Sequence, residues 1–294
     1  MVIVTACAVL TWIVLTVTCP AQASTLPMTC ANEGGQVVSD TIPSRIYGAA
    51  MAVTLYLPPC YTPRMIHLPV IYLLHGANTD QTQWPDLNLR TSADKVISRT
   101  RTPFVVVMPG GEYRYDVDYG AFVLDDLIPA VESRYNVSTN PNQRAIGGIS
   151  MGGYYALRLA FQHPEMFAAV GGHSPVVTLG GVDDPLDLAR RANELGRLRV
   201  WLDAGDQDPL RAGAADLAAM LQARSVAVTF SVNPGAHDRP YWRAHSEEYL
   251  DFYANAITTT ACLANFMANE QRWLYMVSPM WPFELSTDYV CPQP

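Results

Sequence analysis

The sequence predicts an α/β protein with a mostly parallel sheet and helices on both of its faces. Three observations carry this. Short β-branched runs alternate with segments whose apolar residues recur at helical spacing. Two of those runs, Pro69–Leu74 and Phe104–Met108, are apolar without interruption, as strands covered on both faces must be. Polar turns containing Gly, Asp or His close the strands at their carboxyl ends, where ligands bind in such sheets.

Taken in order, Thr29–Gly48 is polar and irregular, consistent with a strand pair or loop. Ala52–Leu57 is a strand stopped by Pro58-Pro59. Two buried strands follow, Pro69–Leu74 ending at His75-Gly76-Ala77-Asn78 and Phe104–Met108 ending at Pro109-Gly110-Gly111, with a short helix between them over Ser92–Ser98. Ala121–Tyr135 carries Phe122, Leu124, Leu127, Ile128 and Val131 on one helical face. Arg144–Ile149 reads as a strand, Tyr154–Ala160 as the helix after it, and Ala168–Gly172 as a strand of small residues. A polar helix over Pro185–Leu195 precedes a strand over Arg199–Gly205, and Pro209–Ala223 is a helix with proline at its start. Val226–Val232 is the last strand and Tyr241–Ile257 the last helix. Without repeats or linkers, residues 24–257 are expected to form a single catalytic domain, and 258–294, rich in Trp, Tyr and Pro, an extension packed on it.

Met1–Cys19 is almost wholly apolar and is followed by Ala21-Gln22-Ala23, the pattern of a secretory signal (1–23) cleaved after Ala23. No Lys or Arg precedes the run, so retention as a membrane anchor is the alternative fate of this leader. No later stretch suits a bilayer. Four cysteines remain after cleavage, an even count that implies disulfides in an exported chain. Of three possible pairings, Cys30–Cys60 and Cys262–Cys291 are favoured because each brackets one terminal segment. The net charge of −8, with Lys95 the only lysine, argues against a nucleic-acid partner.

The chemistry centres on Gly147-Gly148-Ile149-Ser150-Met151-Gly152-Gly153, a G-x-S-x-G pattern between a strand and a helix. A serine on so sharp a turn needs a positive φ, and glycine is needed two residues to either side, at Gly148 and Gly152, where the backbones would collide. The turn projects the Ser150 hydroxyl and leaves the Met151 N–H free to hold an oxyanion. A nucleophilic serine needs a base, and the base an orienting carboxylate. Of six histidines, His67, His75, His163, His173 and His245 sit before a strand, at strand ends, at a helix end or within the last helix. Only His237, in the loop after the last strand, can reach back over Ser150. Asp208 is the first choice for the acid, with Asp206 the alternative and Asp203 still within its strand. Asp208 also suits an ordinary helix N-cap. A calcium site built from the three aspartates lacks a full ligand set. The second oxyanion donor is expected at the Ala77 N–H.

His75-Gly76-Ala77-Asn78 with Trp84, Asp126-Leu127-Ile128-Pro129, Gly148–Gly153, Gly205-Asp206-Gln207-Asp208 and Gly235-Ala236-His237-Asp238 with Trp242 resemble the putative esterase group of the α/β-hydrolase superfamily over roughly 53–256. That group includes esterase D, feruloyl and acetylxylan esterases, enterochelin esterases and mycolyltransferases. The resemblance implies an α/β-hydrolase fold, a Ser150–Asp208–His237 triad and oxyanion donors at Ala77 and Met151. Together with the leader, it implies an exported serine carboxylesterase that needs no cofactor or metal and acts on small-molecule or carbohydrate esters of small or aromatic acids. Acyl transfer to a sugar hydroxyl and a catalytically silent binding protein are the rival expectations.

Overall fold

The structure, a computed structural model, describes residues 34–62, 67–114 and 116–276, with side chains as far as Ile257. Its eight strands are β1 (Gln36–Ser44), β2 (Ala49–Leu57), β3 (Val70–Leu74), β4 (Val105–Pro109), β5 (Arg144–Ile149), β6 (Ala169–His173), β7 (Arg199–Gly205) and β8 (Ala227–Asn233). They form one sheet in the order β1-β2-β4-β3-β5-β6-β7-β8. β1 and β2 are antiparallel to their neighbours, and the remaining pairings are parallel. This is the α/β-hydrolase fold.

The helices are α1 (Gln83–Asp86), α2 (Leu89–Thr100), α3 (Tyr119–Ala121), α4 (Ile128–Arg134), α5 (Met151–Gln162), α6 (Pro185–Arg191), α7 (Arg211–Ala223) and α8 (Arg239–Met276). They cover the sheet from both sides, and the central strands record this in alternation. Val70, Tyr72 and Leu74 of β3 join one core with Leu157 of α5 and Leu217 of α7. Ile71 and Leu73 face the other core with Val96 of α2 and Tyr249 of α8. Successive strand side chains point to opposite faces, so an unbroken apolar run supplies both cores at once.

Three elements depart from expectation. The helix expected at Ala121–Tyr135 is broken into α3, a π-helical segment over Phe122–Leu127, and α4. Pro129 lacks the N–H that would continue the α-helical ladder, so the turn before it widens. Asp126 lies in that turn, and its carboxylate accepts from the Ser44 hydroxyl (2.8 Å) and from the N–H groups of Arg45 (2.9 Å) and Ile46 (3.1 Å). α7 starts at Arg211 rather than Pro209, because Asp208 and Pro209 are taken up by the preceding turn. The last helix is expected to stop at Ile257 and instead runs to Met276. Ala, Leu, Met, Glu and Gln dominate that stretch, and no Gly or Pro ends it before Pro279.

The core next to β5 and β6 holds a polar cluster that is fully buried. Asp203 Oδ1 lies 2.7 Å from His173 Nδ1, and Asp203 Oδ2 accepts from the hydroxyls of Tyr241 (2.7 Å) and Tyr249 (2.9 Å). His173 Nε2 lies 2.8 Å from the Tyr253 hydroxyl, and the Tyr249 ring stacks on His173 with centroids 3.6 Å apart. A carboxylate only accepts, so Nδ1 carries the proton between His173 and Asp203. The cluster fastens α8 to the carboxyl ends of β6 and β7. Truncating Asp203 leaves three buried donors without an acceptor. Asp203→Ala is therefore expected to lower the unfolding free energy by about 3–5 kcal/mol in urea denaturation. A loss below about 1 kcal/mol contradicts the assignment.

Candidate active site

The carboxyl ends of β3, β5, β7 and β8 bring the sequence-derived residues to one side of the sheet. Ser150 follows β5 directly and holds φ 55°, ψ −111°. A β-carbon at Gly148 would overlap the Gly152 backbone, and one at Gly152 would overlap the carbonyls of Leu74 and His75. The chain can make this turn against β3 because both positions lack side chains. The Ser150 N–H donates to the His173 carbonyl (2.9 Å), and the Ser150 carbonyl accepts from Tyr154 (3.1 Å) and Val176 (3.2 Å). The strained conformation is thus held by backbone bonds on both sides.

His237 Nε2 lies 3.0 Å from Ser150 Oγ, and His237 Nδ1 lies 3.0 Å from Asp208 Oδ2. The Asp208 carboxylate is completely buried, whereas the His237 ring keeps about a quarter of its surface open. With the Nδ1 proton facing Asp208, a neutral imidazole presents its Nε2 lone pair to the serine hydroxyl. That is the tautomer a general base requires. The Trp242 indole meets the His237 ring edge-on at 5.0 Å between centroids and donates from Nε1 to Ser174 Oγ (3.1 Å).

Asp208 is not the N-cap expected of it, because α7 begins at Arg211 with Leu210 in the N-cap position; its Oδ1 instead accepts from the Leu210 N–H (2.8 Å) within the preceding turn. Asp206 contacts the histidine loop and not the histidine, since its Oδ1 accepts from the Gly235 N–H (3.0 Å). Two backbone bonds, Asp206 N–H to Asn233 O (2.8 Å) and Gln207 N–H to Gly235 O (2.9 Å), join the same two loops. Asp203 belongs to the buried tyrosine cluster. The three aspartates do not converge, and among the described residues no group of three or more His, Cys, Asp or Glu is gathered for a metal.

The other histidines lie elsewhere. His245 pairs with Glu248 (3.1 Å) on α8, and His163 faces Glu165 (3.6 Å). His75 is buried beneath the loop after β3, its ring nitrogens 2.7 Å from the Gly76 carbonyl and 2.9 Å from that of Gly111. Burial pushes its imidazole pKa down, against the opposing pull of those two carbonyls. Cys60 is disulfide-bonded. Its favoured partner Cys30 lies outside the described residues, as do Cys291, the Cys262 side chain and the leader.

Ser150 and His237 open into a cavity of about 270 Å³ that is also lined by Gly76, Ala77, Gln83 and Trp242. Met151 is the first residue of α5, so its N–H has no helical acceptor. Ala77, on the loop after β3, lines the same cavity. Gln83 was invisible to motif reasoning; it sits inconspicuously beside Trp84 and seven residues after Gly76. Its side-chain oxygen accepts from the Gly76 N–H at 2.6 Å. Trp84 fixes this corner by donating from Nε1 to the Leu74 carbonyl (3.1 Å).

Where β7 ends, a β-carbon on Gly205 would overlap the Gly235 carbonyl and come within 2.9 Å of the Ala236 nitrogen. The glycine lets the histidine loop approach β7. Gly205→Ala is expected to displace that loop and lower kcat/KM for p-nitrophenyl acetate about 100-fold or more. Gly196→Ala, which enters open space, should leave the rate unchanged. Equal rates in the two variants contradict this account of the loop.

An endo-1,4-beta-xylanase/feruloyl esterase of Xylanibacter ruminicola is 28% identical over 154 residues, 47% of this chain and 21% of that protein. Esterase Rv1288 of Mycobacterium tuberculosis is 29% identical over 138 residues, 43% of this chain and 29% of that protein. This chain therefore spans less than a third of the length of these curated relatives. Among solved structures, a ferulic acid esterase superposes with a TM-score of 0.71 at 23% identity, covering 76% of this chain and 98% of its own. The S-formylglutathione hydrolase of Staphylococcus aureus superposes at 0.67 with 21% identity, covering 75% and 99% respectively. The family model described as "Putative esterase" matches residues 44–247, and the chain belongs to that family.

Proposed function

We propose that the chain is an exported serine carboxylesterase acting on esters of small or aromatic acids, of acetyl or feruloyl type, on small molecules or carbohydrate. The observation that carries this reading is the position of His237, 3.0 Å from Ser150 Oγ on one side and 3.0 Å from Asp208 on the other. In this mechanism His237 takes the hydroxyl proton as Ser150 Oγ attacks the ester carbonyl. The N–H groups of Ala77 and Met151 hold the resulting oxyanion, each contributing about 3 kcal/mol. His237 returns the proton to the leaving alcohol. Water, deprotonated by the same ring, then releases the acid from the acyl-enzyme, and Asp208 holds the tautomer and steadies the imidazolium throughout.

The small cavity and the feruloyl esterases among the relatives support a compact acyl group. The leader over residues 1–23 and the even cysteine count support export, with residues 24–257 as the catalytic domain and 258–294 as its extension. No helix among the described residues is long and apolar enough to cross a membrane.

A panel of acetyl, butyryl, octanoyl and feruloyl esters tests the proposal. The acetyl and feruloyl esters should be hydrolysed fastest, and transfer to an added sugar outrunning hydrolysis contradicts the assignment as a hydrolase. Ser150→Ala and His237→Ala should each lower kcat about 1,000-fold or more. Asp208→Asn should do nearly the same, while Asp206→Asn and His245→Ala cost less than about tenfold. A loss in His245→Ala equal to that in His237→Ala overturns the choice of base.

A further inference from the structure

Gln83 is only 4% exposed, yet it lines the same cavity as Ser150 and His237. The orientation of its amide is fixed by chemistry. The Gly76 N–H, 2.6 Å away, can only donate, so the atom it meets is Oε1. The Thr79 hydroxyl lies 3.1 Å from the same oxygen and 2.7 Å from the Gly76 carbonyl, and its single proton is shared between the two. Nε2 is therefore the other arm of the amide, and it has no acceptor among the described residues. Its surroundings locate it. The point where a Gly76 side chain would begin is 3.6 Å from Gln83 Nε2 and 3.6 Å from the carbonyl of Ile149, the residue before Ser150. Gln83 is thus bonded to Gly76, the residue preceding Ala77, and shares a cavity with Ser150 and His237. An amide fixed by its oxygen in this way, with its donor arm unmet by the protein and open to the cavity, is placed to donate to an acceptor brought by the substrate.

We propose that the Gln83 side-chain amide is a third hydrogen-bond donor to the oxygen of the scissile carbonyl, beside the N–H groups of Ala77 and Met151. This rests on the esterase reading of Ser150. When Ser150 Oγ adds to the carbonyl carbon, the π electron pair moves onto that oxygen, and Nε2–H strengthens its bond as the charge develops. Thr79 and Gly76 have a positioning role, because they hold Oε1 and so aim Nε2 at the oxygen.

Gln83→Glu separates the donor from the brace. A carboxylate keeps an oxygen for the Gly76 N–H and the Thr79 hydroxyl but sets an acceptor where the donor stood. Expected is a fall in kcat of about 100-fold or more with KM changed little. Binding of a trifluoromethyl ketone, whose serine adduct carries the oxyanion, should weaken in parallel, and thermal unfolding should stay near that of wild type. A Gln83→Glu enzyme within about threefold of wild-type kcat overturns the proposal. If that variant does not fold, the wild-type enzyme bound to the trifluoromethyl ketone decides by crystallography. Nε2 about 3 Å from the adduct oxygen supports the proposal, and a separation beyond about 4 Å overturns it. Wild-type protein without ester turnover removes the esterase reading and this proposal with it, whereas active wild type with an equally active Gln83→Glu variant removes this proposal alone.

Discussion

At Ser150 the chain turns through φ 55°, a left-handed conformation that costs a non-glycine residue on the order of 1–3 kcal/mol. The turn survives because its neighbours leave no alternative. β5 pairs with β3 through Leu74 opposite Gly148 and with β6 through His173 opposite Ile149, so the strand is fixed up to the residue before the serine. α5 starts one residue later and packs between the sheet and α6. The absent side chains of Gly148 and Gly152 are what allow strand and helix to meet at this distance. Everything else in the site is placed relative to this corner. The loop after β3 passes beside Gly152, and His237 reaches over the sheet to the serine hydroxyl.

The partners of the serine are held by a second, polar constraint. Asp203 in β7 binds the side chain of His173, whose carbonyl accepts the Ser150 N–H, and it also binds Tyr241, four residues after His237. One buried carboxylate thus ties the elbow, the strand that leads to Asp208, and the start of the helix that leaves the histidine loop. Backbone bonds from Asp206 and Gln207 to the loop after β8 complete the frame. Catalytic groups must be held within about 0.5 Å of their productive geometry, and fixed elements such as these do that better than loop conformations alone.

Much of this was legible in the sequence, for physical reasons. Strands buried on both faces are marked by unbroken apolar runs, which is why Pro69–Leu74 and Phe104–Met108 match β3 and β4 to within a residue. The elbow announces itself because its sterics demand glycine at fixed positions. His237 was identified by topology, as the histidine after the last strand. What escaped were features decided by tertiary contacts. The π-helical turn near Asp126 answers Pro129 and the β1–β2 loop, and a helical-period count cannot see either. Sequence puts Asp208 before Asp206 without deciding between them, and the approach of the histidine loop separates them, with His237 Nδ1 3.0 Å from Asp208 and the Gly235 N–H on Asp206. His173 and Asp203 lie in plain strand-end positions, and their pairing depends on tyrosines on α8, well beyond them in the chain. Gln83 belongs to no motif, and its significance comes from the Gly76 N–H that fixes its amide.

The account stands most directly on the reactivity of Ser150. Protein treated with a fluorophosphonate probe and mapped by peptide mass spectrometry should carry one adduct, on Ser150, formed in the wild type and lost after prior acylation by an activated ester whose acyl-enzyme hydrolyses slowly. Labelling of another serine, or no labelling of correctly folded protein, would contradict it.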